Sequence, residues 1–241
     1  MGKITHGIDL GTTNSALCKV TRGEVKIIKN SQQKDTTVSC IAISKRQTML
    51  AGDKAFNLLK QDRNLALMRK SEGESNVYIE FKRTMGTDKK YNSSHMNKEY
   101  SSEDLSAEVL KILKSYDKDE EFQSVVITVP AMFNDNQNAA TSRAAKLAGF
   151  KQVELLQEPI AAAMQYGLDS SVKDAKILVF DFGGGTFDAA LIDAKEGVFQ
   201  VKDTEGDNKL GGKNLDMAIV NEILIPKLRS TFKIDSYLEN D

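Results

Sequence analysis

Two segments share one plan: Ile8-Asp9-Leu10-Gly11-Thr12-Thr13 and Phe180-Asp181-Phe182-Gly183-Gly184-Gly185-Thr186. In each, an apolar strand delivers an aspartate, glycine makes a tight turn, threonine follows and a second apolar strand leaves. A hairpin of this composition suits phosphate. Without a Cβ, glycine lets backbone N–H groups approach anionic oxygens closely, and the threonine hydroxyls add donors. A carboxylate beside a polyphosphate would repel it. The two aspartates therefore make chemical sense as holders of Mg²⁺ through its waters, because this ion takes hard oxygen ligands and dehydrates reluctantly. A single Asp-x-Gly hairpin usually means a turn and nothing more; the duplicated pair implies two related halves with a cleft between them.

The elements that must position these turns alternate between strand and helix. Ile4 to Val20 reads as two short strands around the first glycine turn, with a third strand at Val25–Lys29. Ala55 to Gly73 reads as polar helix and loop, and Gly86 to Ser102, polar and without hydrophobic periodicity, as mobile surface. Ser101 or Ser102 can cap a helix whose apolar positions, Leu105, Val109, Ile112 or Leu113, and Tyr116, recur on one face. Val125–Val129 is a β-branched run ended by Pro130, as in a buried central strand, and Asp135 to Gly149 is an alanine-rich helix with Gly149 placed to terminate it. Val153–Leu156 is another strand; Pro159 suits a first helical turn, and Gly167 reads as the end of that helix. Ile177–Phe182, Phe187–Asp193 and Val198–Asp203 form a second meander. A last helix spans about Leu215 to Phe232, with Pro226 kinking or splitting it. The class is α/β.

At 241 residues the chain can bury one large core or two small ones. Its 33 basic residues nearly cancel its 34 acidic ones, so no global field draws it to nucleic acid or an acidic membrane. Cys18 and Cys40 are too few for a disulfide scaffold and lack zinc-site spacing, and read as reduced structural thiols. No hydrophobic leader precedes Asp9, and no apolar run approaches the roughly 20 residues that span a bilayer. These features predict a soluble cytoplasmic protein with no membrane or nucleic-acid partner.

Four segments, Gly7-Ile8-Asp9-Leu10-Gly11-Thr12-Thr13-Asn14-Ser15, Val129-Pro130-Ala131-Met132-Phe133-Asn134-Asp135, Glu158-Pro159-Ile160-Ala161-Ala162-Ala163 and Phe180 to Asp188, resemble in order and spacing the nucleotide-binding domain of heat-shock 70 kDa chaperones. The likeness runs along the whole chain, through Phe81-Lys82-Arg83 and Gly206 to Gly212. It implies an actin-like ATPase fold with ribonuclease H-like duplicated sheets: a first lobe over 1–168, with a shortened upper part at about 39–98, and an incomplete second lobe over 169–241. It implies ATP/ADP and Mg²⁺ as ligands in a stress-response, protein-folding ATPase. Asp9 and Asp181 would arrange the metal's waters. Gly11, Thr12, Thr13, Asn14, Gly183, Gly184, Gly185, Thr186, Gly211 and Gly212 would bind nucleotide. Lys82, Glu158, Asp181 and Thr186 would act in hydrolysis, Lys82 touching the γ-phosphate and Thr186 orienting the attacking water. Without the resemblance Lys82 reads as a solvated surface charge, and Pro130 is as readily a strand terminator as the interlobe pivot the family suggests.

The sequence departs from the family at several places. The helical part that clamps adenosine, a further phosphate-binding turn, the linker and the peptide-binding domain are missing, with Asp241 falling about where the first would begin. Asn138 stands where the family typically has an arginine linked to J-domain partners, and Lys213 replaces a usual acid. These two positions put coupling to J-domain cochaperones in doubt, the short stretch between Gly86 and Tyr100 in the reduced upper part does the same for nucleotide-exchange factors, and unfolded peptide would bind only through the absent domain. Weak nucleotide binding is expected, with apolar residues such as Ile177, Val179, Leu191 and Val198 short of partners and prone to self-association. The alternatives are a non-catalytic interaction module and an actin-like sugar or acid kinase; the Glu158-Pro159-Ile160-Ala161-Ala162-Ala163 segment argues against the kinase.

Overall fold

The computed structural model describes residues 4–69, 75–119, 121–170 and 174–232. Strands β1 (His6–Leu10), β2 (Asn14–Thr21) and β3 (Glu24–Ile28) form the first meander, and the short β4 (Thr37–Val38) pairs with the start of β2. A small sheet follows, built from β5 (Cys40–Ile43), β6 (Met49–Ala51) and β7 (Val77–Ile79), with α1 (Asp53–Arg69) on it. The loop end of the Ala55–Gly73 reading lies outside the described residues at Gly73, as does Asp241.

Gly86 to Ser102 contains a hairpin, β8 (Tyr91–Ser93) with β9 (Lys98–Tyr100), where the sequence suggested featureless surface. It is ordered by polar ties that carry no periodicity: Ser93 donates to the Asn76 side-chain oxygen at 2.8 Å and Tyr78 Oη donates to the Asn92 carbonyl at 2.6 Å. Helix α2 (Ser102–Lys114) begins with a reciprocal cap. The Asp104 N–H donates to Ser101 Oγ at 3.1 Å, and the Ser101 N–H donates to the Asp104 carboxylate at 2.9 Å.

Strand β10 (Ser124–Val129) runs parallel to β1, and β11 (Gln152–Gln157) parallel to β10, giving a six-stranded sheet in the order β11-β10-β1-β2-β3 with β4 at its side. Between them, α3 (Asp135–Leu147) starts from an Asn134/Gln137 capping box and ends in a left-handed Gly149. The Phe150 N–H returns to the Ala145 carbonyl at 3.1 Å and the Gly149 N–H to Lys146 at 2.9 Å, the Schellman pattern. Ile8, Leu10, Leu17 and Ile127 pack with Leu105, Val109 and Leu110 of α2 in the main core.

At the foot of β1, His6 is stacked on Phe122, with ring centroids 3.7 Å apart, and donates from Nε2 to Asp117 at 2.8 Å. Burial pushes the Asp117 carboxyl up, but hydrogen bonds from His6 and Lys19 prevail and bring it down to about 2. Burial alone pushes the Cys40 thiol up to about 12, an inert structural cysteine.

Helix α4 (Glu158–Ser170) lies between the large sheet and a three-stranded antiparallel sheet of β12 (Asp174–Phe182), β13 (Phe187–Lys195) and β14 (Val198–Asp207). Gly167 does not end α4. It lies within the helix against Phe199, whose Cζ would stand 3.0 Å from a Cβ there, so the glycine serves close packing. Ile177 and Val179, expected to lack partners, pack around Ala163, Ala190 and Ile192 beneath α4; Leu178, Phe180 and Phe182 on the other face are the exposed ones, together with Leu191 and Val198. The chain continues through α5 (Gly212–Ile219), a π turn at Val220–Leu224 and α6 (Ile225–Thr231). Pro226 lacks an N–H and crowds the preceding turn; the π turn just before it, closed by the Ile225 N–H on the Val220 carbonyl, accommodates the ring and divides the expected single helix into α5 and α6. No described helix is long and apolar enough to cross a membrane.

Candidate functional site

A cavity of about 430 Å³ opens where the two glycine hairpins meet the start of α4. Each turn depends on close approach. A Cβ on Gly11 would lie 2.1 Å from the Asn14 carbonyl oxygen, and one on Gly184 would lie 1.9 Å from Thr13 Oγ1. The first contact shapes the turn after β1, and the second lets the two turns pack directly on each other. The second turn is closed by the Gly183 N–H donating to the Thr186 carbonyl at 2.9 Å. Asp9, Gly11, Thr12, Thr13 and Asn14 line the cavity from one side, and Asp181, Gly183, Gly184 and Thr186 from the other. Thr12 Oγ1 is buried without a hydrogen-bond partner. A donor left unpaired at such a site is costly unless a ligand completes it.

Charge is concentrated at the third wall. Lys82, on a 3₁₀ turn at Phe81–Thr84, is only 5% exposed; its Nζ donates to Glu158 Oε1 at 2.8 Å and stands 5.6 Å from the Phe133 ring centroid. Burial pushes the Glu158 carboxyl up, Lys82 opposes this, and Asp9 and Asp181 add to the rise. Asp181 is also raised, by burial first and then by Asp9, with Lys82 opposing. Thr128 Oγ1 donates to Asp9 Oδ1 at 3.1 Å.

Three carboxylates thus surround one lysine, a set that favours further positive charge. Among the described residues no three His, Cys, Asp or Glu side chains converge as a direct metal cage. Asp9 and Asp181 fit a hydrated Mg²⁺, since this ion keeps several waters and takes one or two carboxylates.

The Hsp70 protein family model matches residues 5–240. This chain belongs to the Hsp70 family. It is 39% identical over 236 residues to the chaperone protein DnaK of Mycoplasmopsis agalactiae, an alignment covering 97% of this chain and 37% of that protein. The chain therefore spans a little over a third of the length of that relative. Its mixed α/β architecture is the actin-like ATPase fold of the Hsp70 nucleotide-binding region.

In this Hsp70 chain Gly185, Gly211 and Gly212 do not line the cavity. A Cβ on Gly211 would sit 2.4 Å from the Gly185 nitrogen, and the Gly212 N–H donates to the Gly183 carbonyl at 2.9 Å, so these glycines back the second turn from behind. Asn138 lies away from the cleft on α3; its amide nitrogen donates to the Phe133 carbonyl at 3.3 Å, and its buried side-chain oxygen has no partner.

Sequence reasoning left five residues without a role that the structure brings to or beside the site. Thr128 holds Asp9, Phe133 faces Lys82, and Ala161 and Ala162 give the cavity a smooth wall. The fifth, Asp188, is fully buried opposite Asp181 in the β12–β13 register and raised by burial, against which the Met132 and Ala131 N–H groups donate to its carboxylate. Hairpin register was the available signal for Asp188: a turn closed by Gly183 and Thr186 pairs positions 181 and 188.

Proposed function

We propose that this chain is the Mg²⁺-dependent ATP-binding and ATP-hydrolysing part of an Hsp70-type cytoplasmic chaperone, the nucleotide state setting the peptide affinity of a domain outside these 241 residues. The observation that supports it best is the buried Lys82–Glu158 pair facing Asp9 and Asp181 across a cleft walled by two glycine turns. Residues 1–168 would form one lobe, with a reduced upper part at 39–98, and 169–241 part of a second. J-domain cochaperones and exchange factors would be its partners, with coupling altered by Asn138.

Phosphoryl transfer asks for positioning and charge neutralisation, with little covalent chemistry from the protein. The backbone N–H groups around Thr12, Thr13, Gly183 and Gly184 hold phosphate oxygens, and the unpaired Thr12 hydroxyl gains its partner there. Asp9 and Asp181 would hold Mg²⁺ through its waters, and the ion would supply neutralisation of phosphate charge. Lys82 places a fixed positive charge beside the γ-phosphate, where it stabilises the charge that shifts as the bond to the leaving oxygen breaks. Glu158 fixes the Lys82 ammonium and Thr186 orients the attacking water. Titration calorimetry with Mg-ATP and Mg-ADP tests this: in a protein with its nucleoside wall complete, Asp9→Asn and Asp181→Asn should each weaken the Mg²⁺ dependence of binding without unfolding it. Unchanged dependence in both would remove the metal role.

One observation supports a second reading, a module that binds nucleotide poorly and acts through protein contacts. The described lining of the cleft holds no aromatic or large apolar side chain on which a base could stack. The isolated chain should therefore hold nucleotide by its phosphates alone, weakly and with negligible turnover. Submicromolar binding by a monodisperse monomer would contradict this expectation.

A further inference from the structure

Beside the cleft a second group of charges fastens the turn that carries Lys82. That turn is entered from Glu80, whose backbone is left-handed at φ 58° and ψ 16°, a conformation uncommon for a residue with a long side chain. The Glu80 carboxylate accepts from Lys213 Nζ at 2.8 Å and lies 3.6 Å from Arg83 Nη1, while Arg83 Nη2 donates to the Lys209 carbonyl. Lys213 is in turn tied to the opposite wall. Its N–H donates to the Gly184 carbonyl at 3.2 Å, next to the bond from the Gly212 N–H to Gly183. A Cβ on Gly185 would meet Arg83 Cδ at 3.1 Å, so the Arg83 stem lies along that turn. One continuous path therefore runs from the Lys82 turn through Glu80 and Lys213 to the Gly183–Gly185 turn.

We propose that Glu80 and Lys213 are a positioning pair that clasps the Lys82 turn to the glycine turn across the cleft, making the closure of that wall dependent on an ion pair. What the closure is for rests on the proposed ATP reading; the clasp itself does not. The Glu80 and Lys213 side chains are 23% and 51% exposed, so salt reaches and screens them. Lys82 is buried, and its own bond to Glu158 is shielded from such screening. The prediction is a salt-sensitive outer clasp over a salt-insensitive inner contact.

Hydrogen exchange read by mass spectrometry on the whole chain, without nucleotide, tests the clasp. The Arg83 and Met85 amides, bonded to the Glu80 and Lys82 carbonyls at 3.0 and 3.1 Å, are the reporters. Glu80→Gln and Lys213→Gln should each speed their exchange about two- to fivefold at low salt, the range expected of a partly exposed pair. High salt should do the same to the wild type and nothing further to either variant. Lys213→Arg should restore wild-type protection, which loss of packing alone would not explain. Peptides from α2 should be unmoved throughout, marking the fold as intact. Equal exchange at 81–85 in the wild type and both Gln variants, or a wild-type rate indifferent to salt, would overturn the proposal, and the salt series needs no variant to fold. Because no nucleotide is present, this failure is distinct from a failure to bind Mg-ATP, which calorimetry on the same samples reads separately.

Discussion

The two aspartate hairpins have the same local plan and opposite surroundings. Around Asp9, the flanking Ile8 and Leu10 are 1% and 2% exposed beneath α2, whereas around Asp181 the equivalent Phe180 and Phe182 are 69% and 44% exposed. Both turns nevertheless present a carboxylate to the same cavity. Alternation along a strand separates the two tasks: the aspartate points to one face, its neighbours to the other. A turn motif therefore specifies the chemical group and its direction. How firmly that group is held depends on what covers the opposite face, and only the first hairpin is covered among the described residues.

The contrast can be broken most directly in stability. Ile8→Ala should cost about 2–5 kcal/mol in urea unfolding, the range for deleting a large buried aliphatic side chain, while Phe180→Ala should stay within about 0.5 kcal/mol, as exposed substitutions do. Similar losses at the two sites would show that the second sheet is better covered than its exposure indicates.

Next in size is the chemistry the two hairpins are proposed to share. In a protein with its nucleoside wall complete, Lys82→Ala should slow single-turnover ATP hydrolysis by about 10²–10³-fold, as for loss of one preorganised charge-stabilising donor. ATP affinity should fall much less, because the contact matters most as charge moves in the transition state. Hydrolysis at the wild-type rate would remove Lys82 from the site.

A smaller effect concerns the anchoring of β1 by a buried ion-pair network, where the described foot of β12 shows an exposed contact from the Glu196 N–H to Asp174 at 3.4 Å. Asp117 has its pKa lowered from 3.8 to about 2, so its ionised form stabilises the fold at all pH values above the ordinary carboxylate range. That contribution, on the order of 2 kcal/mol, should be lost as pH falls from about 4 through about 2. Thermal melts across this window should show the loss in the wild type and a flatter limb in Asp117→Asn. An unchanged slope would dismiss the His6–Asp117–Lys19 network as an anchor.

The smallest effect per molecule is association through the open face. Light scattering should show concentration-dependent self-association of the chain, reduced by Leu178→Ser with Phe180→Ser, since both side chains stand on the exposed side of β12. No change on substitution would point away from this sheet.

The sequence by itself determined the features whose causes are local. The hairpins at Asp9 and Asp181 follow from glycine and threonine placement, the start of α2 from Ser101 and Asp104, and the end of α3 from Gly149. Strand β10 announces itself by an uninterrupted β-branched run. Strands of three or four residues such as β5, β6 and β7 are too short to display a period, and the β8–β9 hairpin is ordered by polar ties rather than an apolar pattern; both escaped the sequence. Gly167 reads as a break, but packing against Phe199 absorbs it, whereas Pro226 does divide the last helix, by way of a π turn.

Only the tertiary structure decided which face of the second meander lies beneath α4 and which stays open. It alone also made Lys82 a functional candidate independent of family resemblance. Its meaning lies in Glu158, 76 residues away, and in burial that no neighbouring residue encodes. Local sequence sets backbone conformation and the direction of side chains; the environment that turns a lysine from a solvated charge into a buried one is assembled by distant elements converging on it.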